Sequence, residues 1–337
     1  MEIRVVNHSV EVDPLQWERF VYNHPHGNFF QTPRVYKFLQ GFPAYNPYFV
    51  SAWRGDELVG LFQAFRQKEG NGLKGYLSRR TIVYGGPLVK PGDRDGRTIV
   101  QRLIQTLNHT SDSLYTEFRN MCDASEYEDV FLQAGYVYQP HLNYIITIPG
   151  DEQAVLKLLH SSKRGQVRKS QRNGARTILP RGKDDVKQFY LILKRLYREK
   201  VKKPLPPWSF FERFHEDKEL GVYLLILYQE KIIGGIMCPA YDKTLYEWYV
   251  CGEDGKYRNI YPSVLATYAP LLYGCQNGYR YFDFLGAGKP GEDYGVREFK
   301  SKFGGKQVEY GRFFRVNNPL LYSAGRIGYR LYRARIF

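Results

Sequence analysis

The sequence from Tyr281 to Tyr310 is YFDFLGAGKPGEDYGVREFKSKFGGKQVEY. Its first five residues are an apolar run that predicts a strand, and the next ten form a glycine-rich loop. Phe299 and Phe303 follow at a spacing of four, which predicts a short helix with both rings on one face. Lys300 lies between them, just after the loop. A lysine beside a loop at a strand end is well placed to stabilise a developing negative charge, although most lysines are simply exposed on the surface.

The composition is that of a folded protein with a strongly basic second half. The chain has 337 residues, 43% of them hydrophobic and 16% aromatic, which is enough for one large or two ordinary domains. Residues 1–150 contain 15 basic and 15 acidic side chains, so the formal net charge of +15 arises from residues 151–337. This asymmetry predicts an anionic partner: nucleic acid, a phosphorylated substrate or an anionic membrane surface. The alternative is a solvated basic face with no dedicated partner.

The two halves of the chain repeat one order of predicted elements. YFVSAWRGDELVGLFQA in the first half predicts two strands joined by a short polar turn, and VYLLILYQEKIIGGIMC repeats that pattern in the second. Helices are predicted at Ile99–Asn108 and Ser263–Cys275, and a further strand at Leu245–Val250. Two copies of one unit are the economical account. We therefore predict an α/β (α+β) protein with domains at 1–150 and 151–316, each a mixed twisted sheet flanked by helices.

A basic segment, residues 161–178, opens the predicted second domain with SSKRGQVRKSQRNGARTI. Arg164, Arg168 and Arg172 fall four residues apart, so a helix here would carry a row of guanidinium groups. That geometry suits phosphate binding, and we take Arg168 as a candidate substrate-binding residue. An exposed basic connector is the alternative from the spacing alone.

The last segment, residues 317–337, follows a predicted strand at Val308–Phe314 and contains four arginines and no acid. It predicts a basic amphipathic helix, either on an anionic membrane surface or docked on the second domain. The apolar residues that could line one face are Leu320, Ala324, Ile327 and Leu331.

Metal sites, disulfides and membrane spans are not expected. The four cysteines include no CxxC pair, and His24 and His26 have no third ligand nearby in the sequence. The first residues lack the apolar run of a signal peptide, and no stretch reaches the ~18 apolar residues of a membrane span. We therefore expect reduced thiols in a cytoplasmic protein, with peripheral contact at the inner face of the membrane as an open alternative.

Several motifs together resemble the Fem family. They are the two strand–turn–strand units, the basic KRxxVRKxxRNG segment, and FDFLGAG followed by FKxxFGG; GNFFQTPRVYKF and YGGPLV in the first half are also similar. Fem enzymes are the aminoacyltransferases of peptidoglycan bridge formation and are built from two GNAT-like acyltransferase domains. The resemblance implies transfer of an amino acid from aminoacyl-tRNA to the peptide-stem amine of a lipid- or nucleotide-linked peptidoglycan precursor. It implies no metal or redox cofactor.

The resemblance also implies roles for particular residues. Lys300 matches the family's FK lysine, which is thought to stabilise the tetrahedral intermediate, and Phe299 stands beside it. Lys37 and Lys203 match positions that contact precursor phosphates, but Lys203 replaces the family's usual arginine and cannot form a bidentate pair. Tyr249 is the nearest match to an aromatic residue that lines the substrate cleft. The long coiled-coil insertion of some members is absent, so any tRNA contacts would come from the globular body.

The implied chemistry needs no covalent nucleophile, because an aminoacyl ester is already activated. A neutral amine attacks the carbonyl, and a cation near the resulting oxyanion lowers the barrier. Losing one such group costs roughly 3–4 kcal/mol, or about a hundred- to a thousandfold in rate. Asp283 is a candidate base for the amine proton or, alternatively, a cap of the loop that follows it. The vicinal ribose hydroxyl could carry the proton instead.

Two other classes of function fit parts of the sequence. An acyl-CoA-dependent N-acyltransferase acting on a cell-envelope or exopolysaccharide substrate would use the same fold. Its CoA pyrophosphate would require a glycine-rich turn at a helix N-terminus, and GEDGKYRNIYPSV and KPGDRDGRTI are poor matches to such a turn. A catalytically inactive binding module for RNA or a membrane would use the basic segment but would leave FKxxFGG unexplained.

Overall fold

The computed structural model describes residues 2–7 and 12–336, with side-chain environments described as far as residue 328. The strands, numbered in chain order, are β1 (Ile3–Val6), β2 (Tyr45–Arg54), β3 (Glu57–Gln67), β4 (Arg80–Tyr84), β5 (Leu88–Val89), β6 (Tyr115–Arg119), β7 (Val137–Gln139), β8 (Leu142–Thr147), β9 (Arg176–Ile178), β10 (Gly221–Tyr228), β11 (Lys231–Tyr241), β12 (Thr244–Tyr246), β13 (Tyr249–Gly252), β14 (Tyr281–Asp283), β15 (Lys306–Glu309) and β16 (Arg312–Val316).

The α-helices are α1 (Pro14–Asn23), α2 (Pro33–Gln40), α3 (Gly72–Tyr76), α4 (Gly96–Thr110), α5 (Glu128–Gln133), α6 (Glu152–Leu158), α7 (Ser161–Arg172), α8 (Lys183–Leu196), α9 (Trp208–Glu216), α10 (Pro262–Gln276), α11 (Gly295–Ser301) and α12 (Pro319–Ile336). Two short 3-10 turns, Phe29–Gln31 and Ser125–Tyr127, and a π turn at Tyr197–Val201 complete the regular structure of the described residues.

The chain divides into two compact units, one formed by Met1–His141 with Glu309–Phe337 and the other by Leu142–Val308. The boundaries predicted after residues 150 and 316 differ from this division. The cause is strand pairing: β8 pairs with β14 in the sheet of the second unit, and β16 pairs with β6 and β7 in that of the first. The single strand predicted at Val308–Phe314 is therefore two strands, β15 and β16, in two different sheets.

The sheet of the first unit has the order β1-β2-β3-β4-β6-β16-β7, with β5 on β3. Strands β4 and β6 are parallel, and the helical crossover between them contains α4. The helix predicted at Ile99–Asn108 is confirmed within α4, whose Ile99, Leu103 and Leu107 are buried in the core of this unit.

A buried ion network joins β16 to the centre of that sheet. Glu117 accepts hydrogen bonds from Arg119 on its own strand (2.9 Å and 2.8 Å) and from Arg312 on β16 (2.7 Å). Burial by itself raises the pKa of Glu117, but the two guanidinium groups outweigh it and lower that pKa to about 2. The network thus stabilises the strand that enters this sheet from the distant end of the chain.

The sheet of the second unit has the order β15-β8-β14-β12-β11-β10-β9, with β13 also on β11. The strand predicted at Leu245–Val250 is broken into β12 and β13, and Glu247 and Trp248 lie in the break. Both pieces pair with β11, so one extra residue is accommodated there as in a β-bulge. Helix α10 connects this region to β14, which runs parallel to β12.

The helix predicted at the end of the chain is present as α12 and belongs to the first unit. Tyr322 contacts the rings of Tyr115 and Phe314, with centroids 5.8 Å and 6.0 Å away. Within the described part of the chain, no helix is both long and apolar enough to cross a membrane.

Candidate functional site

The candidate site lies in the second unit, where the parallel strands β12 and β14 end. Tyr246 and Asp283 are partners at the last position of this pairing, and the backbone N–H of Glu247 donates to the carbonyl of Asp283 at 2.9 Å. Beyond this point β12 breaks and β14 enters the glycine-rich loop. The carboxyl ends of adjacent parallel strands are where α/β sheets place ligands, because the two connections diverge there.

Lys300 extends from α11 into this edge of the sheet and is nearly buried. Its Nζ donates to the carbonyl oxygens of Phe284 (3.0 Å) and Gly286 (2.8 Å) and lies 2.8 Å from Oε1 of Glu247. The side chains of Lys300 and Glu247 are 10% and 6% exposed. An ammonium group has three donors, and here three acceptors surround it. Lys300 is therefore not the solvated surface lysine that its residue type favours.

The loop after β14 has a constrained backbone that Asp283 and Asn143 hold in place. Leu285 has a φ of 54°, which is uncommon for a side chain other than glycine, and Gly286 follows with a φ of 135°. Oδ1 of Asp283 accepts from the N–H of Leu285 (2.6 Å) and from Nδ2 of Asn143 (2.7 Å), while Oδ1 of Asn143 accepts from the N–H of Gly286 (2.8 Å).

Asp283 thus has the geometry of a loop cap, one of its two predicted roles. Burial raises the pKa of its carboxyl group, although the hydrogen bonds from Asn143 and Leu285 oppose that shift. The carbonyls that Lys300 contacts belong to the same loop, so Asp283, Asn143 and Lys300 hold one short piece of backbone between them.

Most of the basic segment, residues 161–178, forms the helix α7, and the first turn of α7 contacts α11. The N–H of His160 donates to the carbonyl of Lys302 at 2.9 Å, and Nζ of Lys163 lies 4.4 Å from the centroid of the Phe299 ring. Burial lowers the pKa of Lys163, and the nearby Lys302 adds to this shift. Two motifs about 130 residues apart in the sequence therefore meet beside Lys300.

The exposed side of α7 is formed by Gly165, Arg168, Gln171 and Arg172, which line one shallow depression. Arg168 and Arg172 are exposed and make no hydrogen bond or ion pair within the described residues, in contrast to Lys169, whose Nζ contacts Oδ1 of Asn259 at 2.8 Å. A row of unpaired guanidinium groups on one helix face can receive successive phosphates.

The other predicted substrate-binding residues lie on separate elements. Tyr249 begins β13 and packs in an aromatic cluster, with its centroid 5.1 Å from that of Phe211 and 5.9 Å from that of Trp248. Lys203 is exposed in the loop after the π turn. Lys37 is exposed in the last turn of α2 and belongs to the first unit.

A carboxylate caps the N-terminus of α10, one of the two helix ends at which the GNAT fold would hold a pyrophosphate, whereas Asp95 makes no capping hydrogen bond to α4. Asp254 accepts from the N–H of Ser263 (3.1 Å) and from its hydroxyl group, so it caps the first turn of α10. Before α4, Asp93 and Asp95 both bind the guanidinium group of Arg54 at 2.8 Å. A negative charge already in place at a helix N-terminus disfavours a second anion there.

No metal site forms within residues 2–7 and 12–336, where no three His, Cys, Asp or Glu side chains come together in a suitable group. In His24, Nε2 contacts the carbonyl of Val89 (2.8 Å) and Nδ1 accepts from the N–H of His26 (3.0 Å). Both ring nitrogens therefore have protein partners.

Glu247 is the site residue that sequence reasoning missed. It lies in LYEWYV, which the sequence pattern predicts to be one strand from Leu245 to Val250. A lone acid among apolar and aromatic strand residues is unusual, because a buried carboxylate requires a partner. That signal pointed to a break or a buried ion pair, but the partner, Lys300, lies far away in the sequence.

Comparison with known proteins agrees with this geometry. The family model described as "Acetyltransferase (GNAT) domain" matches residues 161–301, from the first residue of α7 to the last of α11. The structure of FemX superposes with a TM-score of 0.70 at 15% identity, covering 96% of this chain and 99% of FemX. The chain has the tandem GNAT fold. The predicted fold class is thereby confirmed, and the resemblance to the Fem family holds at the level of the fold.

Other tandem GNAT structures are also similar. L-PGS from Bacillus licheniformis gives a TM-score of 0.57 at 14% identity, with 95% of this chain and 96% of that one covered. A tandem GNAT protein from the clavulanic acid biosynthesis pathway gives 0.57 at 11% identity, with 94% and 99% covered. No curated protein matches the chain in sequence. The chain therefore has the fold of a GNAT-type acyltransferase, and its substrates have to be argued from its own residues.

Proposed function

We propose that the protein is an aminoacyltransferase that moves an amino acid from aminoacyl-tRNA to the peptide-stem amine of a peptidoglycan precursor. The observation that carries the proposal is the buried Lys300–Glu247 pair at the ends of the parallel strands, beside the arginine-lined helix α7. A reactive cation next to a phosphate-binding surface suits a donor whose activated ester stands at the end of a nucleic acid. The match to the Fem motifs in the same segments supports the acceptor class. A cytoplasmic location follows from the donor, because charged tRNA is made there.

In the proposed reaction the acceptor amine attacks the ester carbonyl of the aminoacyl-tRNA. The new C–N bond forms a tetrahedral intermediate, the C–O bond to the ribose then breaks, and the ribose oxygen takes up one proton as the amine loses one. Lys300 supplies positive charge near the developing oxyanion. Because its three donors already have acceptors, a direct hydrogen bond to the oxyanion requires Lys300 to release one of them.

Glu247 is the partner that we propose Lys300 releases. Its carboxylate then accepts the proton that leaves the amine, before that proton reaches the ribose oxygen. Asp283 is less suited to this task because its Oδ1 holds the loop through two hydrogen bonds. In this scheme Lys300 and Glu247 act together, and Asp283 positions the carbonyls around Lys300.

The substrate-binding roles of the remaining residues are part of the proposal. Arg168 receives a donor phosphate on the exposed face of α7, and Phe299 holds the Lys163 ammonium against α11. Lys37 and Lys203 contact phosphates of the acceptor, and Tyr249 lines the acceptor cleft from its aromatic cluster. No metal or redox cofactor is required by any step.

An acyl-CoA donor is the second candidate, because the matching family model describes an acetyltransferase domain. The carboxylate of Asp254 at the N-terminus of α10 counts against it. CoA binding in this fold relies on backbone N–H groups at that helix end. Pro262 has no N–H, and the N–H of Ser263 already donates to Asp254.

The test is a transfer assay with the purified protein, labelled aminoacyl-tRNA and a lipid- or nucleotide-linked pentapeptide precursor, with labelled acyl-CoA in a parallel reaction. We expect label to reach the precursor from tRNA. Lys300→Met should reduce the rate by about a hundred- to a thousandfold. Lys302→Met is the matched control, because the side chain of this half-buried lysine, two residues away, pairs with the exposed Glu298 rather than with Glu247. Transfer from acyl-CoA alone would refute the proposed donor.

A further inference from the structure

Helix α12 is attached to the first unit along one side only. A Cβ at Gly325 would lie 2.8 Å from the carbonyl oxygen of Leu77, so the helix approaches the backbone there more closely than a residue with a side chain could. Tyr322, on the same side, packs on Tyr115 and Phe314. These contacts fix which side of the helix faces the sheet and therefore which side faces away.

The side that faces away is apolar. Leu320 is 85% exposed and Ile327 is 60% exposed, and Ala324 between them is exposed as well. Spacings of four and three residues place these three on one stripe, about 160° around the helix from Tyr322 and Gly325. Single exposed apolar residues are ordinary, but a stripe opposite the docked side is the pattern of a second, unfilled contact.

A second exposed apolar segment lies next to this helix. Leu73 and Tyr76 of α3 are 74% and 44% exposed, and Leu77, which follows them, is the residue whose carbonyl Gly325 approaches. The first unit therefore presents apolar side chains from two neighbouring helices, with Lys74 between those of α3.

The charge of this region has one sign. Residues 318–337 contain four arginines and no acidic residue, and Arg326, whose side chain is described, is exposed. A helix with an apolar stripe and arginine as its only charged residue is complementary to a surface that is both hydrophobic and negatively charged.

We infer that α12 and α3 form a membrane-docking surface that binds anionic phospholipid. The helix would lie in the plane of the interface with Leu320 and Ile327 inserted between headgroups, while Arg326 contacts a lipid phosphate. This inference concerns where the protein works and rests on different residues from the proposed function, so either one can fail without the other.

The experiment is co-sedimentation of the full chain with vesicles of phosphatidylcholine, with and without about one third phosphatidylglycerol. We expect binding to the anionic vesicles only, and loss of most of it when the salt concentration shortens the Debye length to about 3 Å. Leu320→Ser with Ile327→Ser should weaken the partition coefficient about tenfold or more, because each exposed aliphatic side chain loses its burial. Arg326→Gln should weaken it about fivefold.

The matched control is Leu132→Ser with Val137→Ser, which removes two exposed apolar side chains from other elements of the same unit. The control should bind like the unchanged protein. Equal loss in both double variants, or no preference for anionic vesicles, would overturn the inference. A change of oligomeric state in the α12 variant without a change in vesicle binding would also overturn it, because the stripe would then be an interface between copies of the chain.

Discussion

The Lys300–Glu247 pair makes a prediction about stability that needs no substrate. Lys300→Met would leave the carboxylate of Glu247, which is 6% exposed, without its cation and would leave the carbonyls of Phe284 and Gly286 without a donor. Breaking a buried pair from one side costs about 3 to 5 kcal/mol, because the remaining charge stays buried. We expect Lys300→Met to lower the free energy of unfolding of the second unit by that amount.

Removing the acid of the pair should lower the free energy of unfolding by less than removing the lysine. Glu247→Gln keeps an oxygen that can accept from Lys300, and the ammonium group keeps its two carbonyl acceptors, so we expect a loss of about 1 to 3 kcal/mol. The double variant contains no buried charge at this position. It should therefore be more stable than Lys300→Met alone by about 1 to 3 kcal/mol, rather than less stable.

The assay is urea unfolding of the unchanged protein, both single variants and the double variant, followed by tryptophan fluorescence. Trp208 and Trp248 report on the second unit. Lys302→Met is the control, since its ion pair with the exposed Glu298 is screened by solvent and adds little to stability. The reasoning would be refuted if the two single costs simply added in the double variant, or if Lys300→Met were as mild as Lys302→Met.

Three further predictions concern other parts of the chain. The pKa of Glu117 is lowered to about 2 in the folded protein, so its ion network should stabilise the first unit by roughly 3 kcal/mol above pH 4.5 and lose this effect as the pH falls towards 2. The difference in urea midpoint between the unchanged protein and Glu117→Gln should therefore shrink over that pH range. A constant difference would contradict the assignment. Asp254→Ala should remove the cap of α10 and lower the melting temperature of the second unit by about 2 to 4 °C; an unchanged melting temperature would show that the carboxylate does not cap the helix. Arg168→Gln with Arg172→Gln should weaken tRNA binding and reduce the slope of log K against log salt by about 2, measured by filter binding, whereas Arg176→Gln, which removes an arginine already paired with an acid, should leave the slope nearly unchanged.

The elements with strong hydrophobic periodicity were predictable from the sequence. The strand pair β10–β11, helix α4 and helix α10 all lie where apolar runs or helical spacing predict them, because their apolar residues are buried in the core of their own unit. The spacing in the basic segment left a helix and an exposed connector open; the structure forms the helix α7, whose contact with Phe299 places it beside the lysine of the FK motif.

The domain boundaries could not be read in the same way. β8 and β16 are short strands, and their own residue pattern does not indicate which sheet they join. That choice depends on pairing over long distances, such as the Glu117–Arg312 contact between residues almost 200 positions apart. Local periodicity carries no information of this kind.

The composition of the candidate site was only partly predictable for the same reason. Lys300 and Asp283 were found because they flank a recognisable loop. Glu247 was not found because its role depends on a break in a strand and on a partner more than fifty residues away. The three acceptors around Lys300 could also be identified only from the structure. They show that Lys300 forms a buried ion pair with Glu247 and is not a free cation.

The mass of the acceptor after reaction shows whether aminoacyl-tRNA is the donor. The precursor would be incubated with the purified protein and charged tRNA in the absence of CoA, and its intact mass would then be determined. We expect the mass of the acceptor to increase by that of one amino-acid residue, and we expect no increase when the tRNA is left uncharged. An unchanged mass with charged tRNA, together with an added acyl group when acyl-CoA is supplied instead, would contradict the proposed donor.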